Sequence, residues 1–195
     1  MNNYDTAIGQ IIKERLEKTI STRFNSIKND MIDEFLNHAV TKEILNGPDS
    51  NNDSGTLGGY GNLFSYIGFY NGDDPIEPIL NELKKSTIVF SRFVSGGGAL
   101  WNIYIPSKED IWDVSPMPWA PGRSWAKGIE TGISGVGYYL FDSSGNLPSS
   151  RSETAIQTQN KIKSKIRFKN VKYISSLLSK YELKFSQLDE TAIST

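Results

Sequence analysis

An α+β fold is predicted: a long N-terminal helix, a mostly antiparallel β-sheet and an amphipathic C-terminal helix. Three observations lead there. Apolar residues recur at helical spacing from Ile8 to Ala39, alternating β-rich segments fill the middle of the chain, and a second helical stripe runs from Ile174 to Leu188. At 195 residues without an internal repeat the chain is expected to be one domain. Its parts are a long helix over 1–46, an α+β core over 62–142, and a basic strand plus C-terminal helix over 160–189.

The first helix rests on Ile8, Ile12, Leu16, Ile20, Phe24, Ile27, Met31, Phe35 and Ala39, with Asp5 as its N-cap and Asn46-Gly47-Pro48 as its stop. Roughly forty residues at 1.5 Å each span about 60 Å, more than one domain of this size requires. The helix must therefore bend near Thr19 to Asn25 or pack on a neighbouring subunit, and contact between subunits is the favoured reading. Residues 47–61 form a polar Gly-rich loop. Its Gly58-Gly59-Tyr60-Gly61 lacks the Lys-Ser/Thr ending of a phosphate-binding loop. The next segment, Asn62 to Phe69, reads as a strand rather than the helix such a loop needs.

Asp73-Asp74-Pro75 opens a short helix whose apolar face is Ile76, Ile79, Leu80 and Leu83. Thr87 to Val94 and Ala99 to Ile105 read as the arms of a hairpin about Ser95-Gly96-Gly97-Gly98. Ile111 to Val114 reads as a short strand, Ser124 to Thr131 as one or two helical turns, and Val136 to Phe141 as a strand. Residues 143–159 form a second polar loop. Lys161, Lys163, Lys165, Arg167 and Lys169 then alternate with Ile162, Ser164, Ile166 and Phe168, the pattern of a half-buried strand with a cationic outer face.

Little in the chain points to chemistry. There is no cysteine, and His38 is the single histidine, so His/Cys metal sites and disulfides are excluded. His38 sits near a helix C-terminus without a nucleophile-elbow sequence, which suits a surface or capping role. Asp73, Asp74 and Glu77 cluster, as do Glu109, Asp110 and Asp113, but a helix cap and a turn account for them. The expectation is therefore no enzyme and no cofactor. No apolar run is long enough to cross a membrane and no signal peptide is recognisable, so the chain is expected in the cytoplasm, without membrane contact. Residues 1–150 carry 12 Lys+Arg against 18 Asp+Glu, and residues 151–195 carry 9 against 4. This −6/+5 asymmetry fits attraction between copies of the chain, a nucleic-acid-facing tail, or solubility alone.

The densest functional signal lies between Trp101 and Phe141, which holds all four tryptophans and four of the eight prolines. Tryptophan supplies large apolar area with one polar handle and is enriched at interfaces; proline stiffens the backbone between. Trp101 and Trp112 are read as core. Met117, Pro118, Trp119, Pro121, Arg123 and Trp125 are the interface candidates, with Arg123 able to stack on an indole. Two other readings stand beside a protein interface. One is a carbohydrate-binding or carbohydrate-active protein using Trp119 and Trp125 as platforms. The other is a non-specific DNA-associated protein using the basic 161–169 face, although Lys residues on an edge strand also block unwanted sheet pairing.

The order of elements resembles the small tail-completion and neck proteins of tailed bacteriophages. The resemblance rests on the long first helix, on a Gly-containing turn that leads to a strand at Gly61-Asn62-Leu63-Phe64-Ser65-Tyr66-Ile67-Gly68-Phe69, on the sheet after it, and on the proline-aromatic segment Pro118-Trp119-Ala120-Pro121-Gly122-Arg123-Ser124-Trp125. It covers roughly residues 5–140; the chain is longer than the commonest members, and 161–189 has no counterpart among them. The resemblance implies a ring-forming virion subunit at the head–tail junction or tail end, assembled in the host cytoplasm. Its partners would be copies of itself and other virion proteins, and it would carry no catalysis.

Overall fold

In a computed structural model of the chain, the described residues are 3–59, 61–94, 99–133 and 168–188. The fold is α+β, with a long N-terminal helix, small antiparallel β-ladders and a C-terminal helix. Helix α1 runs continuously from Asn3–Asn37, so Asp5 lies within the helix instead of capping it. The helix ends at His38, whose extended backbone (φ −64, ψ 138) starts α2, Ala39–Leu45. The expected single helix to residue 46 is thus two helices. Asn37 and His38 favour local side-chain bonds over helix propagation: Asn37 donates back to Asp33 O, and His38 accepts from Val40 N.

The polar loop after α2 is held by one buried carboxylate. A single 3₁₀ turn, Gly47–Asp49, leads into it. Glu43, fully buried, accepts from Asn52 Nδ2 at 2.9 Å, Ser54 N at 2.9 Å and Leu63 N at 2.7 Å. Asn52 Oδ1 in turn accepts from Leu57 N and Gly59 N. For the described part of residues 47–61 the chain thus supplies its own clamp. The expected strand over Asn62 to Phe69 is also corrected. Asn62 accepts from Ser65 N at 2.8 Å and caps helix α3, Leu63–Ile67, while Gly68 at φ 90 closes it. Leu63, Phe64 and Ile67 are buried together, a grouping that α-helical spacing permits and strand alternation does not.

Helix α4, Glu77–Lys84, starts where Asp74 Oδ1 accepts from Ile76 N and Glu77 N, and it buries Ile79 and Leu83. Lys28 of α1 donates to the carbonyls of Lys84 and Ser86, satisfying the C-terminal end of α4. Strands β1, Thr87–Phe93, and β2, Ala99–Tyr104, pair antiparallel from Thr87↔Tyr104 to Phe93↔Ala99, with a register shift between Phe90 and Arg92. The expected strand near Ile111 to Val114 is helix α5, Lys108–Asp113. A capping box sets it: Ser107 Oγ accepts from Asp110 N while Asp110 accepts from Ser107 N. These bonds from Ser107 hold the Asp110 carboxyl below its ordinary pKa.

A second small ladder pairs β3, Pro116–Met117, with β4, Ala120–Ser124. Helix α6, Trp125–Thr131, follows at once, capped by Ser124, and α7, Ile174–Ser186, completes the core. One apolar cluster joins Ile20, Phe24, Met31 and Phe35 of α1 to Tyr181 and Phe185 of α7, with Ile79, Leu83, Ile111 and Ile129 between. Phe24 and Phe185 are 4.9 Å apart. The N-terminus of α7 is held by Glu130, which accepts from Tyr173 N and Ser175 N. Gly128 lies where α6 meets Ile133 and Met117; a Cβ there would stand 2.8 Å from Ile133 Cγ1 and 3.0 Å from Met117 Cε. Gly128→Val is therefore expected to lower stability by about 2 kcal/mol, read as a lower urea midpoint at unchanged m-value.

Candidate functional site

The Met117–Trp125 segment is tethered to the core at both ends. Ser115 is buried; its Oγ donates to Ile111 O and pairs with Ser124 Oγ at 2.7 Å, and its carbonyl accepts from Trp125 N at 2.8 Å. These bonds clip the base of the β3–β4 turn to the end of α5. Trp125 is then only 1% exposed, edge-on to Phe69 at 5.9 Å and near Tyr173 at 6.2 Å. Met117 is 2% exposed. Both were candidates for a contact surface, and both belong to the core. Met117 is the inward residue of β3, and Trp125 opens a helix whose buried face continues through Ala126 and Ile129.

What faces outward is narrower. Pro121 and Arg123 are exposed, while Pro118 and Trp119 are half-buried. Trp119 donates its indole N–H to Ile67 O at 2.7 Å, and the Arg123 guanidinium lies 5.7 Å from the Trp119 ring centre. A sugar platform built on Trp119 and Trp125 is not available here, because Trp125 is inside and one face of Trp119 is taken by Arg123. Trp101 and Trp112, expected in the core, are half-buried. Trp112 lies under two cations, Lys127 Nζ at 4.6 Å and Lys108 Nζ at 5.5 Å from its ring centre.

Of the basic face, Lys161, Lys163, Lys165 and Arg167 lie outside the described residues, as do the expected strand at 136–141 and the loop at 143–159. Lys169 is described: its side chain is exposed and its N–H bonds to Thr56 O at 2.8 Å. Phe168 stacks on Tyr66 at 5.6 Å. Among the described residues, no group of three His, Asp or Glu side chains is placed to hold a metal ion, and no helix is long and apolar enough to cross a membrane.

A second surface combines the long helix, for which contact between subunits was the favoured expectation, with the hairpin, for which none was stated. From Gly9 to Thr19 no residue of α1 is buried, although the same helix is embedded from Ile20 onward. Ile11 and Ile12 are 55% and 44% exposed. This first part of α1 meets the β1–β2 hairpin, where Lys13 Nζ lies 4.7 Å from the Phe90 ring centre. The hairpin packs Ile88, Trp101 and Ile103 against the core, sets Phe90 edge-on to Trp101 on the same face, and leaves Val89, Leu100 and Tyr104 on its outer face, with Phe93 also exposed. The signal in the sequence is the unbroken apolar run Ile88-Val89-Phe90. Consecutive apolar residues in a strand put apolar groups on both faces, and only one face can be covered by the chain's own α1.

Comparison with known proteins gives no relative to argue from: no family model, curated protein or solved structure matches this chain.

Proposed function

We propose that this chain is a structural subunit of a tailed-bacteriophage virion, of the tail-completion or neck type, which acts by assembling into a ring. Its partners on this reading are copies of itself and neighbouring virion proteins, and its task involves no catalysis. The observation that carries the assembly reading is the apolar surface on α1 and the hairpin. Ile11 and Ile12 lie on one element and Val89, Leu100 and Tyr104 on another, where a solitary chain gains nothing from exposing them. A two-stranded ladder is marginal by itself and gains stability when a further layer covers its open face.

Two distinct apolar surfaces on one subunit suit a head-to-tail contact, which closes into a ring when the rotation permits. The virion assignment rests further on the resemblance read from the sequence, of which the long first helix, the antiparallel pairing and the proline–tryptophan segment remain, while the strand matched at 61–69 is helix α3. The exposed Arg123, over the Trp119 ring, and the exposed Pro121 then offer a stiff secondary contact for a neighbouring protein.

Mass spectrometry of purified particles of the virus encoding this chain tests the assignment. The chain is expected at a constant, low copy number relative to the major capsid protein. Its absence from finished particles would remove the virion reading and leave self-assembly to stand on its own.

A further inference from the structure

His38 joins three parts of the fold. Nδ1 accepts from Val40 N at 3.2 Å and so caps the N-terminus of α2. The Lys172 backbone carbonyl also faces the ring and favours its protonated form. With Nδ1 serving as an acceptor, the proton of the neutral ring resides on Nε2. The ring lies against Tyr173, centroids 4.9 Å apart, and the Tyr173 hydroxyl pairs with Thr41 of α2 at 2.8 Å. One imidazole thereby ties the end of α1, the start of α2 and the segment entering α7.

We propose that His38 is a proton-operated latch: the neutral ring holds the start of α2, and protonation at Nδ1 releases it. An imidazolium has two N–H donors and no acceptor, so it cannot keep the bond from Val40 N. That N–H would face another donor, and a first-turn group of α2 would lose its partner. The surroundings favour the neutral state. Burial of the ring lowers the His38 pKa from its ordinary value, against smaller upward effects from the Lys172 carbonyl and the Glu34 carboxylate.

The facing groups leave His38 as the one that switches. From α1, Glu34 is already engaged by Lys180 and Tyr181 of α7. From the segment before α7 come Tyr173, whose hydroxyl burial pushes far above neutrality, and the Lys172 carbonyl. From α2 comes the Val40 N–H. The sign follows. With the folded value below the unfolded one of about 6.5, the latch is fully held above that pH and is lost as pH falls through the folded value. What it holds is more than one turn of helix, since α2 also carries Glu43, the clamp of the 52–63 loop.

The chain has one histidine, so ring-labelled His in the full-length protein gives a single resonance to titrate. The expected midpoint lies below about 6.5, with the Val40 amide shift following the same midpoint. Amide exchange at Val40, corrected for its intrinsic pH dependence, should quicken roughly fivefold on the acid side. In His38→Asn, which keeps a capping oxygen that does not titrate in this range, that acid-side quickening should vanish. A midpoint at or above the unfolded value, a Val40 amide that ignores the ring, or equal quickening in His38→Asn would each overturn the latch. Should His38→Asn not fold, the paired titration of ring and Val40 amide in the wild type still decides.

Discussion

Trp125→Ala is expected to destabilise the fold by about 4 kcal/mol, the largest effect of any single truncation considered. Its side chain is 1% exposed and lies between Phe69 and Tyr173. Removing it leaves a cavity at the start of α6, beside the Ser115–Ser124 clip that sets the β3–β4 turn. The clip is backbone and hydroxyl chemistry and cannot collapse into the void. Urea unfolding followed by tryptophan fluorescence and circular dichroism reads the loss directly. Trp119→Ala is the matched contrast. It deletes a half-buried ring, one indole bond to Ile67 O and the contact with Arg123, and is expected to cost about 2 kcal/mol. Equal losses at the two positions would mean that Trp125 is no more a core residue than its neighbour.

Glu43→Ala is expected to cost about 3 kcal/mol. The reason differs in kind: no large cavity opens, but the Leu63 N–H is left buried without an acceptor, and Ser54 N and Asn52 Nδ2 lose theirs. Among the described residues the carboxylate has no cation beside it, so its compensation comes from these donors. Glu43→Gln keeps the volume and one acceptor oxygen but points an amide N–H₂ at a donor. Roughly half the loss should remain. Amide exchange at Leu63 separates this account from general destabilisation, because it should quicken in Glu43→Ala at urea concentrations where the α7 amides are still protected.

Parts of the fold were legible because their signals are local. The apolar stripes of α1 and α7, the acidic start of α4 and the β-branched arms of β1 and β2 each reflect a period or a cap that neighbouring residues settle. The errors share a cause. Asn62 to Phe69 and Ile111 to Val114 are short apolar runs with aromatic or β-branched residues, which strands and buried helix turns share. Their caps decided the matter: Asn62 bonds to Ser65 N, and Ser107 forms a box with Asp110.

The break at His38 was invisible to periodicity, since Ala39 continues the sequence stripe four residues after Phe35, yet in the fold Ala39 is exposed and Val40 is the buried residue. The candidate site divided for a similar reason. Met117 and Trp125 carry the residue types of an interface, but their burial follows from where β3 and α6 sit in three dimensions, which no linear pattern near Pro118 or Pro121 reveals. The buried Glu43 likewise has no sequence signal, because its donors come from residues 9 to 20 positions later.

On the proposed function, copies of this chain associate through the first part of α1 and the outer face of the hairpin. Sedimentation velocity across a wide concentration range tests it most directly. The wild type would be run beside Ile11→Glu/Ile12→Glu and Val89→Lys/Tyr104→Lys, all at exposed positions where the fold itself has little to lose. The account predicts a discrete closed oligomer for the wild type, and monomers for each double variant at unchanged circular dichroism. A wild type that stays monomeric at the highest concentration, or variants that assemble as it does, would contradict it.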